Sequence, residues 1–237
     1  MYKSNEPPKK NKIQTIILNH FTHCNLKCVH CGFAIASAEG YKCTDTNHKD
    51  VLNIIKYLGE KEILAKNVKL DIGGGEPSLS KGLQEIVEYA VEIKNMSVHI
   101  NTNCAQYMDF WVYGVQKGLI NLTLTPDAGS KEVYEKIKGA DYFDIVWENI
   151  EKYNKATDKG VRVKFIMEYG NLQDIENMAA KCVECKVREV VINKDFQIAK
   201  NDYYRLLEPV RKFKNLLSKN GITVRKGNQM PIEVWGK

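Results

Sequence analysis

The chain has 237 residues, 43% of them hydrophobic and 27% charged, with a formal charge of +6 at pH 7. Such a composition belongs to a globular protein with a core of ordinary size; no run approaches the roughly 20 apolar residues of a membrane span, and the N-terminus lacks the apolar stretch of a signal peptide. A cytoplasmic protein is therefore expected, where seven cysteines, an odd number, point to metal or redox chemistry and not to a disulfide framework.

Residues 1–12 read as a flexible basic tail, with Lys9, Lys10 and Lys12 following Pro7 and Pro8. The other lysines are spread along helix-like stretches, which argues against a nucleic-acid partner and against a membrane surface. From residue 13 onward, short β-branched runs alternate about six times with longer amphipathic stretches, the pattern of βα units around a parallel sheet. Strands are expected at 13–21, 68–73, 96–103, 120–125, 161–168 and 188–193. Helices are expected at 48–65, 80–94, 107–118, 130–157, 172–185 and 202–220, the fourth broken near Gly139. Gly160 and Gly221 fall just past two of these helices, as stop signals do. After Gly221, ITVRK offers a last strand, and 227–237 reads as a C-terminal tail. With no linker or internal repeat, 13–226 forms one domain.

Each strand has one apolar and one polar face. Val163, Phe165 and Met167 oppose Arg162, Lys164 and Glu168; Leu122 and Leu124 oppose Asn121, Thr123 and Thr125; Val98 and Ile100 oppose His99, Asn101 and Asn103. Leu70 and Ile72 likewise oppose Lys69 and Asp71, and Val190 and Ile192 oppose Glu189 and Asn193. Strands buried on both faces would be continuously apolar, and a closed eight-stranded barrel would be filled by large apolar side chains. The expectation is an open, partial (β/α)6 TIM-like barrel of α/β class with a polar, wet interior. A flat sheet with one solvated face is the alternative.

Two motifs stand at the C-terminal ends of strands, where βα loops converge. CNLKCVHC brings Cys24, Cys28 and Cys31 together after the first strand. Three thiolates suit zinc or an iron–sulfur cluster, and either wants a fourth ligand, which leaves a position open for chemistry. A buried zinc completed by His23, His30 or a distant cysteine is the structural alternative. GGGEP, Gly73 to Pro77, follows the second strand; its glycines permit close backbone approach to a ligand, and its carbonyls with the Glu76 carboxylate suit an ammonium group.

On CNLKCVHC, GGGEP and the six βα units, residues 13–200 resemble the radical S-adenosylmethionine (radical SAM) superfamily. The resemblance implies a [4Fe-4S] cluster on Cys24, Cys28 and Cys31, with S-adenosylmethionine chelating the fourth iron. It implies reductive cleavage to a 5′-deoxyadenosyl radical that abstracts a hydrogen atom from the substrate, with an electron donor such as flavodoxin or ferredoxin. It also implies that Gly74, Gly75 and Glu76 contact the methionine amino group and that Thr125, in LTPDAG, meets the ribose, although Thr-Pro before Asp127 departs from the family's SLDAG-like form. Phe33 is placed to cover the adenine.

Asn103, Lys164, Glu168 and Asn193 point inward and are candidates to touch cofactor or substrate. Cys43 and Cys104 follow the active edge, where a thiol could donate a hydrogen atom to a product radical; the candidate catalytic residues are thus Cys43, Cys104, Lys164 and Glu168. Cys182 and Cys185, in CVEC near a helix end, read as packing. The polar inner face predicts a polar small-molecule substrate of sugar, nucleotide or amino-acid character. Peptide modification and activation of a glycyl-radical protein are rivals within the enzyme class, and a zinc-bearing, non-catalytic binding module is the rival outside it.

Overall fold

In the computed structural model, residues 12–40, 45–93 and 96–236 are described. Seven strands run parallel in chain order: β1 (Ile13–Leu18), β2 (Leu64–Ile72), β3 (Ser97–Thr102), β4 (Ile120–Leu124), β5 (Val161–Met167), β6 (Glu189–Lys194) and β7 (Thr223–Lys226). Each pairs with its chain neighbours, and among the described residues β1 and β7 are left as free edges. The sheet is therefore an incomplete βα barrel, with the ITVRK segment supplying its last strand. No helix among the described residues is long and apolar enough to cross a membrane.

Nine helices connect and cover the strands: α1 (Gly32–Ala38), α2 (His48–Glu60), α3 (Leu83–Glu88), α4 (Asp109–Gln116), α5 (Lys131–Lys138), α6 (Phe143–Ala156), α7 (Ile175–Glu184), α8 (Tyr204–Lys219) and α9 (Ile232–Trp235), counted among the described residues. A π-type turn, Tyr89–Ile93, extends α3. The break between α5 and α6 falls at Gly139, which takes φ 69° and donates its N–H to the Glu135 carbonyl. Only a residue without Cβ adopts that conformation cheaply.

The period-two reading of the strands holds. Leu70, Ile72, Val98, Ile100, Leu122, Leu124, Val163, Phe165, Met167, Val190 and Ile192 are all fully buried in one apolar cluster with the inner stripes of the helices. Burying such a side chain contributes roughly 1.5–3 kcal/mol, so a one-residue register slip, which would turn this whole face outward, is strongly disfavoured. Some boundaries differ from expectation: the first strand, expected over 13–21, ends at Leu18. The helix expected over 48–65 ends at Glu60, and β2 begins at Leu64. Ile63 and Leu64 continue the apolar helical period, but the Ile63 carbonyl accepts the Ile13 N–H and Leu64 pairs with Ile13, so the strand ladder claims them. Helix α1 was not expected, and none of its residues is buried, so it carries no amphipathic pattern to read.

Candidate functional site

The loop after β1 that carries the three cysteines is fastened by several later βα units. From the turn after β2, Gly75 N–H donates to the Phe21 carbonyl at 2.9 Å and Glu76 N–H to the His23 carbonyl at 2.9 Å. From the end of β3, Asn103 Nδ2 donates to Asn25 Oδ1 at 2.8 Å. At the end of α5, the Ile137 and Lys138 carbonyls accept from Val29 and Lys27 at 3.0 and 2.9 Å, and beyond β6 Gln197 Nε2 reaches the Val29 carbonyl at 3.2 Å. Within the loop, Cys31 N–H closes a turn onto the Cys28 carbonyl, and the Cys31 carbonyl accepts the Ile35 N–H at the start of α1. Cys24 is exposed, Cys28 and Cys31 are half-buried, and all three are free thiols. Burial pushes the Cys24 and Cys28 thiols up, with Lys138 opposing it at Cys28. Metal binding must therefore displace protons from them.

The GGGEP turn is shaped by its contact with that loop. A Cβ on Gly74, which has φ 101°, would sit 2.5 Å from the Phe21 carbonyl oxygen, and one on Gly75 would sit 2.1 Å from that of His23. Both glycines are required by backbone-to-backbone packing. Glu76 is 2% exposed, and its carboxylate accepts four hydrogen bonds: from Ser78 N–H and Oγ at 3.1 and 2.8 Å, from Thr102 Oγ1 at 2.6 Å and from Asn103 N–H at 2.7 Å. Burial still raises this carboxyl above its ordinary range, although those donors oppose it. The side chain is thus a latch between the ends of β2 and β3. The peptide carbonyls of Gly73, Gly74 and Gly75, by contrast, accept no hydrogen bond among the described residues. They are the acceptors this turn leaves for a ligand.

The sheet register gathers three of the expected site residues on one level. Thr102 pairs with Leu124 and Leu124 with Val163, so the next residues outward, Asn103, Thr125 and Lys164, share a height on the polar face. Thr125 Oγ1 donates to the Thr102 carbonyl at 3.1 Å and keeps its acceptor capacity. Lys164 is half-buried and, among the described residues, has no acceptor or carboxylate partner; burial lowers its ammonium from the ordinary range, with Asp127 opposing that and Lys138 adding to it. Asn193 pairs with Ile166, about two residues or 7 Å nearer the mouth. Its Oδ1 meets the Gln229 N–H at 3.4 Å, and a Cβ on Gly227 would stand 1.6 Å from it, so the turn after β7 folds over this side chain. Glu168 lies at the mouth end of β5, where its Oε1 is buried without a hydrogen-bond partner and burial raises the carboxyl.

Deeper in the barrel the polar side chains pair largely with one another. Asp71 receives Asn101 Nδ2 at 3.3 Å and Lys69 Nζ at 3.5 Å and lies 3.2 Å from His99 Nδ1, while His99 Nε2 and Thr123 Oγ1 are 2.7 Å apart. Glu189 is held by Arg225 at 2.8 Å and Arg162 at 3.6 Å. Burial, outweighing Asp71, lowers the His99 pKa to about 4. The unfolded chain, with an ordinary value near 6.5, therefore takes up this proton first. Stability is complete above about pH 6.5 and is lost as pH falls toward 4, by roughly 3 kcal/mol from this residue. Denaturant titrations at pH 7 and pH 4.5 are expected to show that loss, and His99→Asn to flatten it; an equal pH slope in the variant would refute the assignment.

The remaining expected residues fall elsewhere. Cys104 has φ 66° and is fully buried in the apolar core, with its thiol raised well above the ordinary value by burial, so it is not brought to the polar face. Cys182 and Cys185 are also buried, and Cys185 Sγ donates to the Trp147 carbonyl at 3.6 Å, which is a packing role. Phe33 is half-buried on α1. Cys43 lies outside the described residues. The sequence reading missed a buried trio: Asp127 and Lys138, 0% and 1% exposed, are paired at 2.5 Å, and His30 Nε2 stands 3.5 Å from the same Asp127 oxygen. A lysine in KIKG and a histidine in CVHC carry no sign of mutual contact.

The donor set fits an iron–sulfur cluster better than a single zinc ion. Among the described residues no three His, Cys, Asp or Glu side chains form a group suited to one metal ion. His30, the nearest zinc candidate in the motif, turns to Asp127 instead.

An open parallel βα barrel with a thiol loop after its first strand and a glycine turn after its second defines a class of cofactor-dependent enzymes. The family model described as the radical SAM superfamily matches residues 18–182, and the chain belongs to that superfamily, whose enzymes use a [4Fe-4S] cluster and S-adenosylmethionine. The chain is 29% identical over 163 residues to a probable GTP 3′,8-cyclase of Saccharolobus islandicus, covering 68% of this chain and 49% of that protein. It is 21% identical over 158 residues to the mycofactocin maturase MftC of Mycolicibacterium smegmatis, covering 66% and 38%. The fold is similar to that of Streptococcus suis SuiB bound to the precursor peptide SuiA, with a TM-score of 0.72 at 16% identity over 92% of this chain and 49% of SuiB. The chain thus spans about half the length of the first of these relatives.

Proposed function

We propose that the chain holds its cluster on Cys24, Cys28 and Cys31, binds S-adenosylmethionine against the glycine turn and the inward level of Asn103, Thr125 and Lys164, and removes a hydrogen atom from a polar small molecule. When bound, the cluster and S-adenosylmethionine supply a reductively cleaved sulfonium and the carbon radical that follows. The chain's own residues orient and shield. The carbonyls of Gly73, Gly74 and Gly75 receive an ammonium group, the Lys164 ammonium faces a carboxylate, and Thr125 offers its hydroxyl to a ribose. Glu76 acts through the turn it latches, and Glu168 and Asn193 address the substrate from the mouth. A small electron-transfer protein supplies the electron.

What carries this reading is the shared level of Asn103, Thr125 and Lys164, with Lys164 left without a partner among the described residues. A half-buried lysine with no counter-ion is costly unless a ligand anion meets it. The unsatisfied Glu168 Oε1 supports polarity in the substrate.

Anaerobic reconstitution with iron and sulfide, followed by reduction in the presence of S-adenosylmethionine, is expected to yield 5′-deoxyadenosine. Polar candidate substrates should raise that yield, and their deuterium should appear in the product. A colourless protein that yields none would end the enzyme reading. An apolar substrate that serves equally well in Lys164→Met and Glu168→Gln would end the polar one. Peptide modification is the second reading, favoured by the 158-residue relation to a protein named a maturase; it predicts a mass change in a peptide and none in small molecules.

A further inference from the structure

Asp127 is fully buried, carries a non-glycine φ of 56°, and makes contacts to three parts of the chain. Its Oδ1 accepts the Ile166 N–H of β5 at 2.8 Å, its carbonyl accepts Asn171 Nδ2 at 3.0 Å, and its Oδ2 takes the Lys138 ammonium at 2.5 Å. The same Oδ2 lies 3.5 Å from His30 Nε2, between Cys28 and Cys31. Lys138 is the last residue of α5, and its own carbonyl and that of Ile137 hold the N–H groups of Lys27 and Val29. Gly139 then turns away with φ 69°, at a point where a Cβ would lie 3.2 Å from the Lys27 carbonyl oxygen and from its Cβ. The cysteine loop is thus gripped by backbone on one side of the pair and by an imidazole on the other.

A buried ion pair is seldom more stable than a well-packed apolar replacement, so stability alone does not account for one placed here. Its value is geometric: a carboxylate pinned to β5 can hold an ammonium and an imidazole only in one arrangement. We propose that Asp127, Lys138 and His30 form a buried strut that positions the cysteine loop for its cluster, making Asp127 and Lys138 positioning residues for the metal site. The inference rests on Cys24, Cys28 and Cys31 being the ligands.

The test uses the full chain, reconstituted anaerobically, and reads iron per chain, the rate of iron release to a chelator and the paramagnetic resonance spectrum of the reduced cluster. His30→Phe keeps a ring and strands no buried charge; Gly139→Ala crowds Lys27; Asp127→Asn breaks the pair. Each is expected to accelerate iron release about tenfold, the usual effect of losing a partner behind a metal ligand, and to alter the spectrum. His30→Phe should melt within a few degrees of the parent when free of metal.

Ile150→Val, in the core on α6, serves as the control for general destabilisation. Release and spectra within twofold of the parent for His30→Phe and Gly139→Ala would overturn the strut, whether or not Asp127→Asn folds. Equal acceleration by Ile150→Val would overturn it too. Cys28→Ala separates the two failures: if that variant keeps its cluster, the ligand assignment is wrong. If it loses the cluster while the strut variants keep theirs, only the strut is wrong.

Discussion

Cys28→Ala is expected to remove the cluster and S-adenosylmethionine cleavage together while leaving the fold in place. Cys28 is half-buried in a loop held chiefly by backbone hydrogen bonds that the substitution leaves intact, including the turn its own carbonyl makes with Cys31. Its removal should change stability by no more than about 1 kcal/mol in the absence of metal. Iron per chain and the brown charge-transfer absorption should fall to the level of untreated protein, and 5′-deoxyadenosine to background. Retention of full iron content with cleavage would show that the ligands lie elsewhere.

Glu76→Ala is expected to cost about 3–5 kcal/mol of unfolding free energy, because it strands two buried donors, on Thr102 and Asn103, and two half-buried ones on Ser78. Those donors, from Ser78, Thr102 and Asn103, join the glycine turn to the end of β3. Glu76→Gln keeps the shape but presents an amide nitrogen to some of the same donors, so an intermediate loss of about 2 kcal/mol follows. Denaturant unfolding with unchanged slope measures both. The pair of variants also decides how this residue serves the cofactor. A latch predicts that affinity for S-adenosylmethionine falls in step with stability. Direct contact with the methionine amino group predicts that Glu76→Gln loses affinity while its stability stays within about 0.5 kcal/mol of the parent.

Much of the architecture was legible because burial imposes a period. Val163, Phe165 and Met167 are buried while Arg162, Lys164 and Ile166 between them are half-buried, because one face of β5 meets helices, and β2, β3 and β6 repeat that alternation. The exceptions are instructive. Ile63 and Leu64 satisfy a helical period and a strand equally well, and a partner 51 residues away, Ile13, decides between them. Helix α1 buries nothing and so left no pattern.

The site divided along the same line. Cysteine spacing and a glycine turn are local signals, and they marked the two loops that lie against each other. The Glu76 side chain was read as facing a ligand, yet its oxygens are occupied by Thr102 and Asn103, some 26 residues on, a distance at which no sequence pattern reports contact. Cys104 looked like its neighbours in NTNC, but a positive φ carries it into the core.

By itself, then, the sequence determined the parallel βα order, the polar face of the sheet and the two motif loops, since each follows from periodicity or from short-range spacing. Only the tertiary structure decided that Asn103, Thr125 and Lys164 share a level, that Glu76 is a latch, and that Asp127 joins Lys138 beneath His30. Those relations depend on strand register and on the path of the chain between distant residues, and both are set by packing the whole core at once.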